Sequence, residues 1–241
     1  DVYKRQMTEY AVSLGIEDRT VIQSTEGYAF SQDSVLCANL MRAGTKDRVL
    51  DLGCGGGIMS VLLVLKKQVC EVVCVDNDEY AVDLCKRNAE LNGFAGRMQV
   101  VQCDVREFAT GERAGTFDKV VCNPPYYSFD DGNADSRNCA AKREGVAVLE
   151  DFVACGARCL RFGGDFTLVH KADRLCDAVS LFRKYGLEPK TVTIIFPKPD
   201  SDADIFVMTA RKGAKTGLAV HSLTVRDKDG RETERIKELY R

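Results

Sequence analysis

Short β-branched runs alternate with longer segments of helical periodicity over most of the chain. The runs predict strands at Arg48–Leu52, Glu71–Val75, Met98–Gln102, Lys119–Cys122, Asp165–His170, Thr191–Phe196 and Ile205–Ala210. Such alternation is typical of βα units that build a mostly parallel sheet. Only Pro197–Ala203 joins the last two runs, which is too short for a crossover helix. We therefore expect an α/β fold with a seven-stranded, mostly parallel sheet and an antiparallel C-terminal hairpin.

Two helices can be placed before any chemistry is considered. Between the second and third predicted strands, helical spacing relates Ala81, Leu84, Cys85, Asn88 and Leu91. Gly93 follows them as the residue expected to cap the helix end. Upstream, Ser31 can cap a helix that continues to about Arg42. The tail from Lys212 onward is polar, has turn residues at 227–230, and is expected to end as a helix or a frayed segment.

Length and composition indicate one globular domain. The chain has 241 residues, 45% of them hydrophobic and 29% charged, which is ordinary for a folded α/β protein. We assign residues 1–241 to one domain, with an N-terminal segment at 7–42, a core at 43–213 and a tail at 214–241. The longest apolar run, Val61–Leu65, cannot span a bilayer. No secretory signal pattern is recognised at the start, so we expect a cytoplasmic protein that does not bind membranes.

The cysteines are expected to be reduced thiols. There are eleven, an odd number, scattered from Cys37 to Cys176 without a C-x-x-C pair. Such usage fits a reducing compartment better than a disulfide framework. Cys155 and Cys159 stand one helical turn apart and are predicted to be core thiols. With only two histidines, far apart in sequence, no metal site is expected.

A glycine-rich turn follows the first strand at Asp51–Gly57. Glycine allows positive φ and lets a ligand approach the backbone closely, although a tight βα connection without a ligand would also use it. The dinucleotide pattern G-x-G-x-x-G fails in both registers, because the sixth position is Ile58 or Ser60. Nicotinamide binding is therefore disfavoured. Asp76 ends the next strand, 25 residues after Asp51, where a carboxylate can accept hydrogen bonds from ribose hydroxyls or cap a helix.

A second loop with chemical potential follows the fourth strand, at Asn123-Pro124-Pro125-Tyr126. The two prolines fix φ and remove two backbone donors, so the loop is rigid and presents acceptors. The Asn123 side-chain oxygen and the Pro124 carbonyl can each accept one hydrogen of a substrate –NH₂ group. Tyr126 can stack on a planar substrate. The simpler alternative is that Pro-Pro only turns the chain after a strand.

Together, these features resemble the class I amino-methyltransferases. The pattern D-x-G-x-G-x-G at Asp51–Gly57 is similar to their motif I, and Cys103-Asp104-Val105 resembles the position whose acid contacts an adenine amino group. The resemblance implies a Rossmann-like fold and catalysis by Asn123, Pro124, Pro125 and Tyr126. It also implies that S-adenosyl-L-methionine is held by Asp51, Gly53, Cys54, Gly55, Gly57, Asp76, Asn77, Asp104, Val105 and Asn123. Asp104 could equally begin a helix.

Segments beyond these motifs are similar to the bacterial tRNA adenine-N6 methyltransferases. They are Glu26–Leu36, Leu160–Gly213 and the ending around Asp229-Gly230 and Tyr240. In that family a Phe-x-x-Asp element helps to close the cofactor site, which would implicate Phe30 and Asp33; a hydrophobic staple with a first-turn acid is the alternative. One departure is Ala141-Lys142-Arg143-Glu144, where relatives commonly carry Ala-Arg-His-Glu. The precise target could differ if that histidine touches substrate.

The resemblance favours N6 of an adenosine in tRNA as the target, acted on by a monomer. A glutamine amide in protein release factors is weakened as a target, because only about 47 residues precede the first strand. Guanine N2 in ribosomal RNA stays open, while a non-catalytic binding protein would not need Asn123. With a net charge of −2, RNA contact requires a local basic patch. The candidates for that patch are Lys198, Arg211, Lys212, Lys215, Arg226, Lys228 and Arg231. The favoured alternative is a solvated mixed-charge face, since Asp and Glu are interleaved with these residues.

Overall fold

The computed structural model describes residues 8–16, 18–25, 29–126 and 147–240. The strands are β1 (Glu9–Ser13), β2 (Thr20–Ser24), β3 (Arg48–Leu52), β4 (Glu71–Asp76), β5 (Met98–Gln102), β6 (Phe117–Cys122), β7 (Leu160–Lys171), β8 (Leu187–Phe196), β9 (Ile205–Lys212) and β10 (Ala219–Thr224). The helices are α1 (Gln32–Leu40), α2 (Ile58–Lys66), α3 (Glu79–Leu91), α4 (Val105–Phe108), α5 (Leu149–Cys159), α6 (Leu175–Lys184) and α7 (Glu234–Tyr240). All seven predicted strands are present.

The main sheet has the strand order β10-β8-β9-β7-β6-β3-β4-β5. Strands β3 to β7 are mutually parallel where they pair, and β9 runs antiparallel to both of its neighbours, β7 and β8. The mostly parallel α/β sheet with an antiparallel C-terminal hairpin is therefore confirmed. The chain places β3, β4 and β5 side by side in one direction across the sheet, and then crosses back to place β6 on the other side of β3. The strand order therefore reverses between β3 and β6. Open α/β sheets bind ligands at such a point, outside the carboxyl ends of the strands.

The predicted number of strands in the main sheet, seven, was one too few. Ala219–Thr224 adds an eighth strand, which pairs in parallel with β8 at the sheet edge. Its residues from Ala219 to Ser222 are exposed and only Leu223 is buried, so the alternation that identifies a half-buried strand is missing. A separate hairpin of β1 and β2 was also not predicted. Asn88 of α3 holds this hairpin, because its side chain both accepts from Ile22 N and donates to Ile22 O.

Helices cover both faces of the sheet. One apolar cluster joins the sheet to α1, α2, α3 and α7, and the other joins it to α4, α5 and α6. The predicted helix start at Ser31 is confirmed, since its hydroxyl accepts from Ser34 N, although α1 ends at Leu40, two residues early. The helix before Gly93 and the buried helical thiols Cys155 and Cys159 are confirmed as well. Within the described ranges, no helix is long and apolar enough to cross a membrane.

Candidate functional site

A cavity of about 330 Å³ lies where the glycine turn, the start of α1 and strand β2 meet. This volume is at the lower end of the range for small-molecule sites. Its wall includes three of the predicted cofactor residues of the turn, Gly53, Cys54 and Gly55, and also Phe30 and Asn123. The remaining lining residues are Val21, Ile22, Gln23, Ala29, Ser31, Ser34, Gly56, Ile58, Met59, Asn88 and Pro125. The structure thus brings the glycine turn and the Asn-Pro-Pro-Tyr loop to one cavity.

The glycine turn is held in shape by β4. The Gly53 and Cys54 amides both donate to the Val75 carbonyl, at 2.8 and 3.0 Å. Gly53, Gly55 and Gly57 all have positive φ, so the conformation predicted for them is confirmed. Gly57 is the N-cap residue of α2 and packs against Cys85 of α3. At its glycines the turn therefore presents bare backbone along one side of the cavity.

Asp76 stands at the carboxyl end of β4, as predicted, and is tied to the turn. One carboxylate oxygen accepts from Gly55 N at 2.9 Å and the other from Asp78 N at 3.1 Å. Burial raises the pKa of Asp76, and the two backbone hydrogen bonds partly oppose that rise. Capping of α3 falls to Asp78, whose side chain accepts from Ala81 N, so Asp76 is not the helix cap. Asn77 is exposed beside it.

Asp104 lies at the next strand end and does begin a helix. Its side chain caps α4 by accepting from Arg106 N at 2.9 Å, and it also pairs with the Arg106 guanidinium. The Arg106 hydrogen bond lowers the pKa of Asp104 despite partial burial. Val105 is buried directly after it. Asp76 and Asp104 follow neighbouring strands on one sheet edge, but neither lines the cavity described above.

Asp51 lies beneath the turn and not on the cavity wall. Its side chain is fully buried, with one oxygen accepting from the Ser60 hydroxyl at 2.7 Å. The other oxygen is buried without a hydrogen-bond partner among the described residues. Burial raises the pKa of Asp51 from 3.8 to about 7, although the Ser60 hydrogen bond acts in the opposite direction. The carboxyl group next to the predicted cofactor site is therefore an internal group.

This burial predicts a pH dependence of stability. Because the folded-state pKa is raised, the contribution of Asp51 is full below about pH 4 and is lost as the pH rises to about 7. The loss is ~1.4 kcal/mol for each unit between the folded and unfolded pKa values. We expect Asp51→Asn, which cannot ionise, to lack this decline. Urea unfolding of both proteins at pH 5 and pH 8 measures the difference, and parallel declines in the two proteins would contradict it.

Asn123 is oriented by a residue that sequence reasoning missed. The Asn123 Nδ2 donates to the Ser34 hydroxyl oxygen at 2.8 Å. Ser34 is buried in the first turn of α1, and its own amide donates to Ser31. This bond uses the amide nitrogen and leaves the Asn123 Oδ1 without a partner among the described residues. No spacing or composition in the sequence distinguishes Ser34 from other first-turn polar residues.

Tyr126 is fixed by the residue next to Ser34. Its hydroxyl donates to Asp33 at 2.9 Å, so Asp33 contacts the Asn-Pro-Pro-Tyr loop, while Phe30 lines the cavity. The Tyr126 ring lies 5.1 Å from the His170 ring, and the Lys171 Nζ is 5.5 Å from its centroid. Burial is the main cause that raises the pKa of the Tyr126 hydroxyl. His170 and Lys171 therefore already occupy part of the space around the ring, which restricts where a planar ligand can contact it.

Two sequence features lie outside the described residues, and members of the predicted basic patch lie in different parts of the fold. The Ala141–Glu144 departure and the 26–28 part of the upstream segment are not described. Of the predicted basic patch, Lys212 donates to the Ala157 and Leu160 carbonyls and Arg226 to the Gly230 carbonyl. These three hydrogen bonds hold local structure, in two different parts of the fold.

Comparisons with known proteins agree with this geometry. A tRNA1(Val) (adenine(37)-N6)-methyltransferase of Shewanella sp. (strain W3-18-1) is 24% identical over 88% of this chain and 90% of its own length. A tRNA1(Val) (adenine(37)-N6)-methyltransferase of a Flavobacteriaceae bacterium (strain 3519-10) is 23% identical over 73% of this chain and 80% of its own length. A crystal structure described as a predicted O-methyltransferase from Agrobacterium tumefaciens superposes with a TM-score of 0.71 and 20% identity, over 87% of this chain and 95% of that one.

At 20% identity, the superposition on the Agrobacterium tumefaciens structure shows the fold alone, which is that of Rossmann-like methyltransferases. A family model for the methyltransferase small domain matches residues 30–186, from Phe30 on the cavity wall to the loop before β8. This match contains the glycine turn, Asp76, Asp104 and the Asn-Pro-Pro-Tyr loop. The chain therefore belongs to the methyltransferase small domain family.

Proposed function

We propose that this methyltransferase uses S-adenosyl-L-methionine to methylate the exocyclic N6 of an adenosine in tRNA. The observation that carries the proposal is the Asn123 amide, which lines the cavity together with the glycine turn and is oriented by Ser34, so that its Oδ1 has no partner among the described residues. An acceptor in that position suits an –NH₂ group and not a hydroxyl nucleophile that needs a base. The names of the curated relatives support adenine in tRNA as the source of that group.

The cavity wall fits the proposed methyl donor. Gly53 to Gly56 expose backbone along it, and a Cβ built on Gly55 would meet no atom within 4 Å. Asp76 supplies a carboxylate at the neighbouring strand end for hydroxyl groups of the ribose. Asn77, Asp104 and Val105 are proposed to contact the rest of the nucleoside. When bound, the donor supplies a methyl group already activated by a sulfonium charge.

The chain's own contribution is then positioning. The Asn123 Oδ1 and the Pro124 carbonyl accept the two amino hydrogens and hold the nitrogen with its lone pair toward the cavity. Tyr126, anchored by Asp33, limits how far a planar base can move. Holding reactants near attack geometry can account for ~7–11 kcal/mol of a barrier. No strong base is needed, because the nitrogen can lose its proton to water after transfer.

The proposal is tested with radiolabelled methyl donor and separate pools of tRNA, ribosomal RNA and release factor. Label in tRNA, recovered as N6-methyladenosine after digestion, is the expected result. Label in ribosomal RNA or in release factor would instead support the guanine N2 or glutamine-amide alternatives, which share the acceptor chemistry.

The proposed ribose contact predicts a specific loss of affinity. We expect Asp76→Ala to weaken cofactor binding ~10- to 100-fold, because a hydrogen bond to a charged group contributes ~1.5–3 kcal/mol. Calorimetry with S-adenosylhomocysteine measures it. Asp78→Ala is the matched control: it removes the α3 cap, lowers stability by ~1 kcal/mol and leaves cofactor affinity unchanged. Unaltered affinity in Asp76→Ala would remove Asp76 from the site.

A further inference from the structure

A second, larger groove lies on the same face of the sheet as α1. Its volume is about 1100 Å³, and it runs between the C-terminal strands and the ends of α1 and α2, beside α7. We call it the basic groove, because its described lining holds five cationic side chains. They are Arg42, Lys67, Lys190, Arg211 and Arg235. The groove is distinct from the candidate methyl-transfer cavity, with which it shares no lining residue.

The positive charge of the basic groove is not cancelled by its lining. Asp165 is the one carboxylate in that lining as described, and it already accepts from Lys119 at 2.6 Å and from Arg211 at 2.7 Å. Lys67 and Lys190 donate to neutral backbone carbonyls, which leaves their charge uncompensated. The whole chain has a net charge of −2, so the basic groove is a positively charged region on a protein whose net charge is negative.

Two further cations of the basic groove are available to a ligand. Arg42 is exposed, just beyond the end of α1, and has no acidic partner among the described residues. Arg235 meets Glu238 at 3.6 Å, but the two side chains are 74% and 61% exposed. An ion pair as exposed as this contributes little and exchanges readily. Both arginines can therefore turn to an incoming anion.

The floor of the basic groove adds hydroxyl groups to these cations. They belong to Thr191, Thr193, Thr209 and Ser222. Cationic and hydroxyl side chains together are the usual partners of phosphate oxygens in nucleic-acid backbones. The nine residues of α1 rise ~13 Å, so this helix joins the groove at one end to the Ser34–Asn123 contact at the other. A polynucleotide that presents a base at Asn123 has several phosphates within that reach.

We propose that the basic groove binds the phosphate backbone of the RNA substrate, away from the reacting base. This inference rests on the proposed function for the identity of the polyanion. The groove contributes affinity and leaves the choice of base to Asn123 and Tyr126. It also explains how a chain with net negative charge can hold RNA.

The test compares tRNA binding and methyl transfer in Arg42→Ala/Arg235→Ala. Filter binding with unfractionated tRNA should show about tenfold weaker affinity. The slope of log K against log salt should be smaller in magnitude by about 1.4–1.8, for two lost phosphate contacts. KM for tRNA should rise by about the same factor as the affinity falls, while kcat and the affinity for S-adenosylhomocysteine stay unchanged. Both substitutions are at exposed positions, and thermal unfolding checks that the fold is intact.

Lys86→Ala/Arg158→Ala is the matched control, since it removes two exposed cations from α3 and α5. It should bind tRNA as the wild type does. Equal weakening in both double variants, or no weakening in the groove variant, would overturn the inference. Failure of the proposed function looks different: tRNA would bind with the groove-dependent salt slope but would not become methylated.

Discussion

Replacing Asn123 with alanine is expected to lower the rate of methyl transfer by at least ~10²-fold. The change removes an acceptor that orients the reacting nitrogen, and loss of one such preorganised group typically costs ~10²–10³ in kcat. Cofactor affinity should stay nearly unchanged, because the turn is held by Val75 and Asp76 and not by Asn123. Single-turnover transfer to tRNA measures the rate, and calorimetry with S-adenosylhomocysteine measures the affinity.

Ser34 provides the companion test of the same interpretation. If its hydroxyl fixes the Asn123 amide, Ser34→Ala should lower kcat with little change in KM, and Ser34→Thr should recover much of the rate. The threonine variant keeps the hydroxyl, which separates orientation from packing.

Equal losses of rate and cofactor affinity in Asn123→Ala would mean that Asn123 is a structural residue of the cavity wall.

Sequence patterns located the strands that are buried on both sides. Strand β3 has four consecutive buried residues after Arg48, and β4 has four after Glu71, so their apolar runs were unmistakable. Strand β10 was missed because its contribution is backbone pairing at an edge, with exposed side chains from Ala219 to Ser222. The β1–β2 hairpin was missed because it depends on Asn88, a partner 66 residues away in the sequence.

The candidate site was predictable at the level of motifs and not at the level of contacts. The turn and the Asn-Pro-Pro-Tyr loop meet because parallel strands bring their carboxyl ends to one edge, which topology alone requires. The pairing of Ser34 with Asn123 and of Asp33 with Tyr126 depends on how α1 packs across that edge. The burial of Asp51 could not be predicted from the motif either. Its position there suggested a ligand contact, whereas its side chain is fully buried.

The second large effect is expected at Gly57, where an alanine should destabilise the whole protein. Its φ of +83° disfavours any side chain by ~1–2 kcal/mol. An added Cβ would also lie 2.6 Å from the sulfur of Cys85, which is fully buried, so the sulfur or the turn would have to shift within the packed core. Overpacking of this kind costs ~1–3 kcal/mol. We therefore expect Gly57→Ala to lower the free energy of unfolding by ~2–5 kcal/mol, as measured by urea denaturation.

Gly55, two residues earlier in the same turn, is the matched control. Its φ of +52° carries a similar backbone cost, but a Cβ there would meet no atom within 4 Å, and the residue lines the cavity. Gly55→Ala should therefore cost only ~1–2 kcal/mol of stability, yet weaken S-adenosylhomocysteine binding by more than about tenfold, because the methyl group occupies space that a ligand needs. Comparing the two variants therefore separates two roles of the turn. Gly57→Ala tests its packing against α3, and Gly55→Ala tests its contact with the methyl donor. Equal stability losses in the two variants, with cofactor affinity retained in Gly55→Ala, would show that the turn is only a tight connection between β3 and α2.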